Sequence, residues 1–171
     1  MSAAGPSQGA NSAPSGGSAA APAASVGAHD YAAAPKRRET FRFPLRVYYE
    51  DTDAAGVVYY ANYLRFMERT RTEWLGSLGF DLATFEGVHG VAFVVHRVEI
   101  DYRLPARLGD RLDATLALIE LHRARMVALQ QVWRGEHLLT DARVAVACIN
   151  RATFRPARIP PALHSRLEAL A

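Results

Sequence analysis

Residues 61–78, ANYLRFMERTRTEWLGSL, decide what kind of fold this chain can make. Tyr63, Phe66, Met67, Thr70 and Trp74 recur at helical spacing, and Leu78 continues the stripe. Arg65, Glu68, Arg69, Thr72 and Glu73 take the other face, where Arg69 and Glu73 stand as an i,i+4 pair. Gly79 is a natural stop. The spacing predicts one long helix of 18 residues, about 27 Å at ~1.5 Å per residue.

After this helix the apolar period falls to two. In His96–Leu104, Val98, Ile100, Tyr102 and Leu104 alternate with Arg97, Glu99, Asp101 and Arg103, as in a half-buried strand. Arg111–Leu121, Met126–Arg134 and Leu138–Arg151 read as further strands, with turn signals at Gly109-Asp110 and Gly135-Glu136. Upstream, Phe41–Tyr49 (FRFPLRVYY) is a strand whose Pro44 suits an edge or a strand start. Pro156, Pro160 and Pro161 then break the chain before a short closing helix over Ala162–Leu170. Short turns make antiparallel neighbours. The expectation is an α+β fold, an antiparallel sheet of about five strands with one long helix against one face. One helix covers only part of such a sheet, so the remaining surface and edges predict a homo-oligomer.

The chain has 171 residues, half of them hydrophobic, which suits a single domain. Residues 1–39 differ from the rest. Alanine, glycine, proline and serine dominate the first 35, where Asp30 is the only charged side chain. Such a segment buries too little surface to offset its ordering entropy. The expected organisation is a disordered low-complexity tail at 1–39, a folded domain at 40–160 and a short C-terminal helix at 161–171. The tail lacks the basic start and continuous apolar stretch of a secretory signal, and no arginine precedes Arg37 as a transit peptide would require. No run of about 18 apolar residues could span a membrane. The expected location is cytoplasmic.

Composition narrows the chemistry. The single cysteine, Cys148, excludes an internal disulfide and lies in the apolar run VAVACIN, as a buried hydrophobe would. The formal charge is +3, with basic residues mostly scattered among acids. Lys36-Arg37-Arg38 and His122-Arg123-Ala124-Arg125 are the local clusters, and neither makes a nucleic-acid footprint. Between residues 40 and 160 the only serine is Ser77, outside any nucleophile elbow. No Cys/His set has zinc spacing, and no phosphate loop or dinucleotide fingerprint is present. No cofactor or metal is expected.

What remains is the stretch 50–63, EDTDAAGVVYYANY, just ahead of the helix. It fails as a calcium loop, because Ala55 and Asn62 stand where ligands are needed. An ionised Asp can act as base or nucleophile, and free N–H groups at a helix start can hold an oxyanion. A carboxylate facing such amides could run acyl transfer without serine, cysteine or metal. The spacing equally allows Asp51 and Asp53 to be turn and cap residues only.

Several segments, in order, resemble the hotdog-fold acyl-CoA thioesterases of the 4-hydroxybenzoyl-CoA thioesterase type. They are Tyr48-Tyr49-Glu50-Asp51-Thr52-Asp53, Gly56-Val57-Val58-Tyr59 and Asn62-Tyr63. Glu68–Glu73, Ala92–Val95 and Pro105–Leu108 bring the likeness closest to the branch associated with the bacterial Tol–Pal system. The resemblance covers about Phe41 to Pro160. It implies a sheet wrapped around the long helix, and dimers, paired again into tetramers, with active sites between subunits. It implies that Asp53 is catalytic, and that backbone amides of Val58, Tyr59 and Tyr60 polarise the thioester carbonyl. Tyr60 stands where this branch often carries histidine, which removes a side-chain acid or base there but leaves the amide. Arg123 and Arg125 fall where these enzymes meet CoA phosphates, although a solvated hairpin tip would look the same. His96 and Arg97 are candidates to line the pocket. Glu68 and Glu73 are rival carboxylates on the helix.

The expected function is therefore acyl-CoA thioester hydrolysis. Hydration of an enoyl thioester in the same fold is a rival, disfavoured by Tyr60 in place of histidine. The other rival is a non-catalytic partner that binds acyl thioesters or acyl carrier protein in an envelope-associated complex. Expected partners are acyl-CoA, a second copy of the chain, and acyl carrier protein or phospholipid-synthesis enzymes.

Overall fold

The computed structural model describes residues 41–170 and Met1. The tail expected at 1–39 therefore lies outside the described residues. Five strands, β1 (Phe41–Arg46), β2 (Val91–Tyr102), β3 (Arg111–Leu121), β4 (Arg125–Arg134) and β5 (His137–Asn150), form one antiparallel sheet in the order β1-β3-β4-β5-β2. The long helix α1 (Asn62–Ser77) lies across β1 and β3 and reaches β4, so the fold is α+β with the sheet wrapped on one helix, a hotdog fold. Two shorter helices follow, α2 (Leu82–His89) and α3 (Pro161–Glu168).

α1 forms where the 3.6-residue stripe predicts it. Its Tyr63, Phe66, Met67, Thr70, Trp74 and Leu75 are buried, and they pack with Leu116, Val132 and Val144 of the sheet. Polar bonds fix its rotation. The Arg71 Nη1 donates to Gln130 Oε1 at 2.7 Å, and Gln130 Nε2 donates to the Met67 carbonyl at 2.9 Å. Burial pushes the Arg71 guanidinium below its usual pKa. The expected Arg69–Glu73 ion pair does not form among the described residues; both side chains are exposed, where such a pair gains little.

Three departures from the sequence reading have physical causes. α2 is a helix that the alternation rules miss, being only 8 residues long. Its start is set by Asp81, whose Oδ1 accepts the Thr84 N–H at 2.9 Å, a bond that lowers the Asp81 pKa. Phe85 stacks between Phe80 and Phe93, with ring centroids 5.3 and 6.4 Å away, and ties α2 to β2.

β2 starts at Val91, not at His96, because the alternation is interrupted by a bulge between Val95 and Arg97.

β2 pairs with β5, not with the next strand in sequence. The 103–110 connection instead crosses the ends of β5 and β4, about 14 Å at ~4.8 Å per strand, to reach β3. Bonds hold it on the way. Arg103 and Leu104 N–H donate to the Leu139 carbonyl (2.8 and 3.2 Å), and the Ala106 N–H donates to the Tyr63 hydroxyl (2.9 Å). The outcome leaves β1 and β2 as the two edges, and Pro44 sits in the β1 edge where its missing N–H is tolerated.

Phe66 is fully buried under the sheet. Phe66→Ala is expected to lower unfolding free energy by about 3–5 kcal/mol, read as a fall in the urea midpoint with an unchanged slope.

Candidate active site

Two acids two residues apart in sequence do different things. Asp51 is 3% exposed and organises the loop. Its Oδ2 accepts the Tyr48 N–H at 2.8 Å. Its carbonyl accepts the Tyr59 N–H and the Asn62 Nδ2, each at 2.9 Å. The stretch before α1 is thereby folded back onto a 3-10 turn at Tyr49–Asp51.

Asp53 stays exposed at the head of a tight turn. Its N–H donates to the Val57 carbonyl (2.9 Å), its carbonyl accepts the Gly56 N–H (3.0 Å), and a bridge joins Thr52 to Val58. Gly56 supplies φ +74°, which other residues seldom adopt. The Asp53 Oδ1 accepts the Ala55 N–H at 2.8 Å. Its Oδ2 has no hydrogen-bond donor among the described residues.

The amides expected to face substrate separate clearly. The Val58 N–H is taken by the Ala106 carbonyl and the Tyr59 N–H by the Asp51 carbonyl, both at 2.9 Å. In this structure both amides of the expected set close the loop. The N–H groups of Tyr60 and Ala61 have no acceptor among the described residues. Both lie ahead of α1, whose N-cap is Ala61. Their orientation is fixed from behind. The Tyr59 carbonyl accepts the Asn62 N–H at 2.8 Å, and the Tyr60 carbonyl accepts the Tyr102 hydroxyl at 3.0 Å. In a trans peptide the N–H points opposite the carbonyl, so the Tyr60 N–H is aimed away from Asn62 and the Ala61 N–H away from Tyr102.

Aromatic rings surround this turn. Tyr59 and Tyr60 are 4.6 Å apart, and Tyr102 meets Tyr60 and Tyr63 edge-on at 6.3 and 5.7 Å. Val58, Tyr60, Tyr63, Tyr102 and Leu104 line a cavity of about 250 Å³. The phenols are held neutral. Hydrogen bonding to Tyr60 raises the Tyr59 pKa, with a smaller push from the Asp53 charge. Burial raises Tyr63 and Tyr102. Tyr102 was legible only as one apolar residue of an alternating strand, and its position ahead of Pro105 was the sole hint that it ends there.

The basic candidates lie elsewhere. His96 sits in the β2 bulge and, with Arg123, Arg125, His122 and His164, lines a cavity of about 710 Å³. Arg97 is paired with Glu99. Arg125 is partly committed: its Nη2 lies 3.8 Å from Glu120 and 3.2 Å from His122 Nε2, and Arg143 shares the same carboxylate at 2.8 Å. Arg123 has no side-chain partner among the described residues. His96 and Tyr102 are six positions apart on β2, about 20 Å at ~3.3 Å per residue. Within one copy, the Asp53 turn and the basic cavity are thus not brought together.

The remaining groups are quiet. Glu68 accepts the Thr72 hydroxyl on the exposed face of α1. Cys148 is fully buried, its Sγ lies 3.6 Å from the Arg158 carbonyl, and burial pushes its thiol up to about 11. Among the described residues no group of side chains could hold a metal ion, and no helix is long and apolar enough to cross a membrane.

A family model for the thioesterase-like superfamily matches residues 47–167. The acyl-CoA thioesterase YbgC of Haemophilus influenzae is 43% identical over 120 residues, covering 70% of this chain and 88% of that protein. A probable thioesterase of Bartonella henselae is 39% identical with TM-score 0.67, covering 70% of this chain and 98% of the other. A 1,4-dihydroxy-2-naphthoyl-CoA thioesterase from Synechocystis is 28% identical with TM-score 0.70, covering 76% and 96%.

Two outcomes test this geometry. Asp51→Ala leaves the Tyr48 N–H without its acceptor, at a cost of about 1–3 kcal/mol, and should lower both thermal midpoint and activity. Cys148, protonated at pH 8 with a thiol near 11, should resist a disulfide reagent in the native protein and react at once when urea is added.

Proposed function

Because the chain belongs to the thioesterase-like superfamily and is a thioester hydrolase, we propose that it hydrolyses acyl-CoA to the free acid and CoA at the Asp53 turn. One observation carries the reading. Among the described residues, Asp53 keeps an uncommitted carboxylate oxygen beside a turn whose Tyr60 and Ala61 N–H groups have no acceptor. The thioester carbonyl oxygen is polarised by these two donors. As a base, Asp53 takes a proton from the attacking water, the carbon–sulfur bond breaks, and that proton passes to the departing CoA thiolate. As a nucleophile, Asp53 adds to the carbonyl carbon, the carbon–sulfur bond breaks to release CoA thiolate and leave an acyl anhydride on Asp53, and water then hydrolyses the anhydride, its proton going to the thiolate. The rings of Tyr59 and Tyr60 bound the site.

The site is completed by a second copy. β2 is an edge strand of 12 residues, with Val94 and Val95 exposed at 37% and 44%. A long unpaired edge templates another strand. Antiparallel pairing of two β2 strands sets the Val91 end of one copy, the end that carries Arg123, against the Tyr102 and Asp53 end of the other, with His96 near the middle of the paired strands. The separation seen within one copy is thereby removed. Arg123 is then free to meet the CoA phosphates.

Asp53→Asn should abolish thiol release across a panel of short, aromatic and long acyl-CoAs, while melting stays close to wild type. Wild-type rates in this variant would sink the mechanism. Single-turnover hydrolysis in ¹⁸O-labelled water separates the two roles, since label enters Asp53 only if it acts as nucleophile. Light scattering should give at least twice the 18.7 kDa chain mass. Mixing inactive Asp53→Asn with inactive Arg123→Ala should restore about a quarter of the wild-type activity, because hybrid dimers contain one intact site. No recovery would place both residues in one subunit's site.

A further inference from the structure

After β5 the chain makes a turn that presents a bulky apolar side chain to solvent in a backbone conformation such residues avoid. Phe154 has φ +54°, and it alone among the described non-glycine residues has a positive value. Asn150 enforces it. The Asn150 Oδ1 accepts the N–H groups of Ala152 and Thr153 (3.0 and 2.9 Å) and the Thr153 hydroxyl (3.1 Å). The Asn150 carbonyl accepts the Phe154 N–H at 2.8 Å, and its N–H donates to the Arg155 carbonyl at 2.9 Å. So tight a frame holds Phe154 78% exposed, where it contributes nothing to the core.

Its surroundings carry one sign of charge. The stretch Arg151–Arg158, RATFRPAR, contains three arginines and no acid. None of the three side chains has an ion-pair partner among the described residues. The field extends beyond the turn, since Arg158 and Arg123 line one cavity and the Ile159 N–H donates to the Arg123 carbonyl at 2.8 Å.

We propose that the 151–158 turn docks the protein on an anionic phospholipid surface. Phe154 enters the headgroup layer, and Arg151, Arg155 and Arg158 pair with lipid phosphates. Shape selects this occupant. A small phosphorylated ligand needs concave walls, and Phe154 stands on a turn with most of its surface bare. A protein partner needs an apolar core of several side chains within a patch of about 800 Å², and the turn offers one aromatic among cations. A bilayer accepts a single ring at the interface and repeats its negative charge under every arginine. The proposal is independent of the Asp53 mechanism.

Co-sedimentation of the full chain with vesicles tests it. The wild type is expected to bind phosphatidylcholine–phosphatidylglycerol vesicles, to release in high salt, and to ignore vesicles of phosphatidylcholine alone. Phe154→Asn keeps a residue that tolerates the left-handed backbone. It and the double variant Arg151→Ala/Arg155→Ala should each weaken binding at least about tenfold, with acyl-CoA hydrolysis in solution unchanged. Phe154→Trp should retain binding. Equal binding to both vesicle types, no binding at all, or variants that bind like the wild type would overturn the proposal. So would a Phe154→Asn variant that loses dimer mass, or loses an acidic carrier protein, while its vesicle binding is unaltered.

Discussion

A carboxylate taken out of water holds the site together. Asp51 faces inward, and its side chain and carbonyl gather the N–H of Tyr48, the N–H of Tyr59 and the side chain of Asn62. Asn62 is the first residue of the long helix, so one acid links the end of β1 to the start of α1. A buried acceptor left without these donors would be costly, and each donor left without it equally so. The loop therefore has few alternative conformations. This accounts for the two aspartates. Asp51 is spent on structure, which turns Asp53 outward with one oxygen to spare. Their like charges are tolerated because one side chain is buried and the other exposed.

Strand order does the rest. A simple meander would have placed β3 beside β2 and carried the 103–110 connection away from the helix start. The crossover instead draws it past Val58 and Tyr63, where the Ala106 carbonyl takes the Val58 N–H and the Tyr63 hydroxyl takes the Ala106 N–H. The same crossover ends β2 at Tyr102, whose hydroxyl steadies the Tyr60 carbonyl. It also leaves the full length of β2 unpaired on one side. Site construction and the open edge are two results of one topological choice.

The sequence reveals those features whose signal is local. The α1 stripe survives because every turn repeats it; β3 starts directly after the Gly109-Asp110 turn signal, and β4 ends and β5 starts directly beside Gly135-Glu136. Pairing of β2 with β5 leaves no local trace, since it depends on contacts some 50 positions apart. Spacing shows that Asp51 and Asp53 matter together but not which turns inward, as that depends on Asn62 and Tyr59 folding back. It cannot tell a committed amide from a free one either, so Val58 and Tyr59 look as suitable as Tyr60 until their acceptors are placed. His96 escapes the alternation because a bulge re-aims it.

Arginines divide by what neutralises them. Arg134 has Asp110 at 2.8 Å, Arg143 has Glu120 at 2.8 Å, and Arg97 has Glu99. The Arg134 pair ties β4 to the turn before β3 and the Arg143 pair spans β4 to join β5 to β3; partial burial pushes the Asp110 carboxyl up, but Arg107 and Arg134 hold it below its usual range. Folding explains such arginines. It does not explain Arg123, Arg151, Arg155 and Arg158, which have no acid partner among the described residues and cluster after β3 and β5. Like charges left together on one surface repel, and folding alone would scatter or pair them. Arginine placed without an internal partner suits an external anion, because its planar fork loses little on binding phosphate.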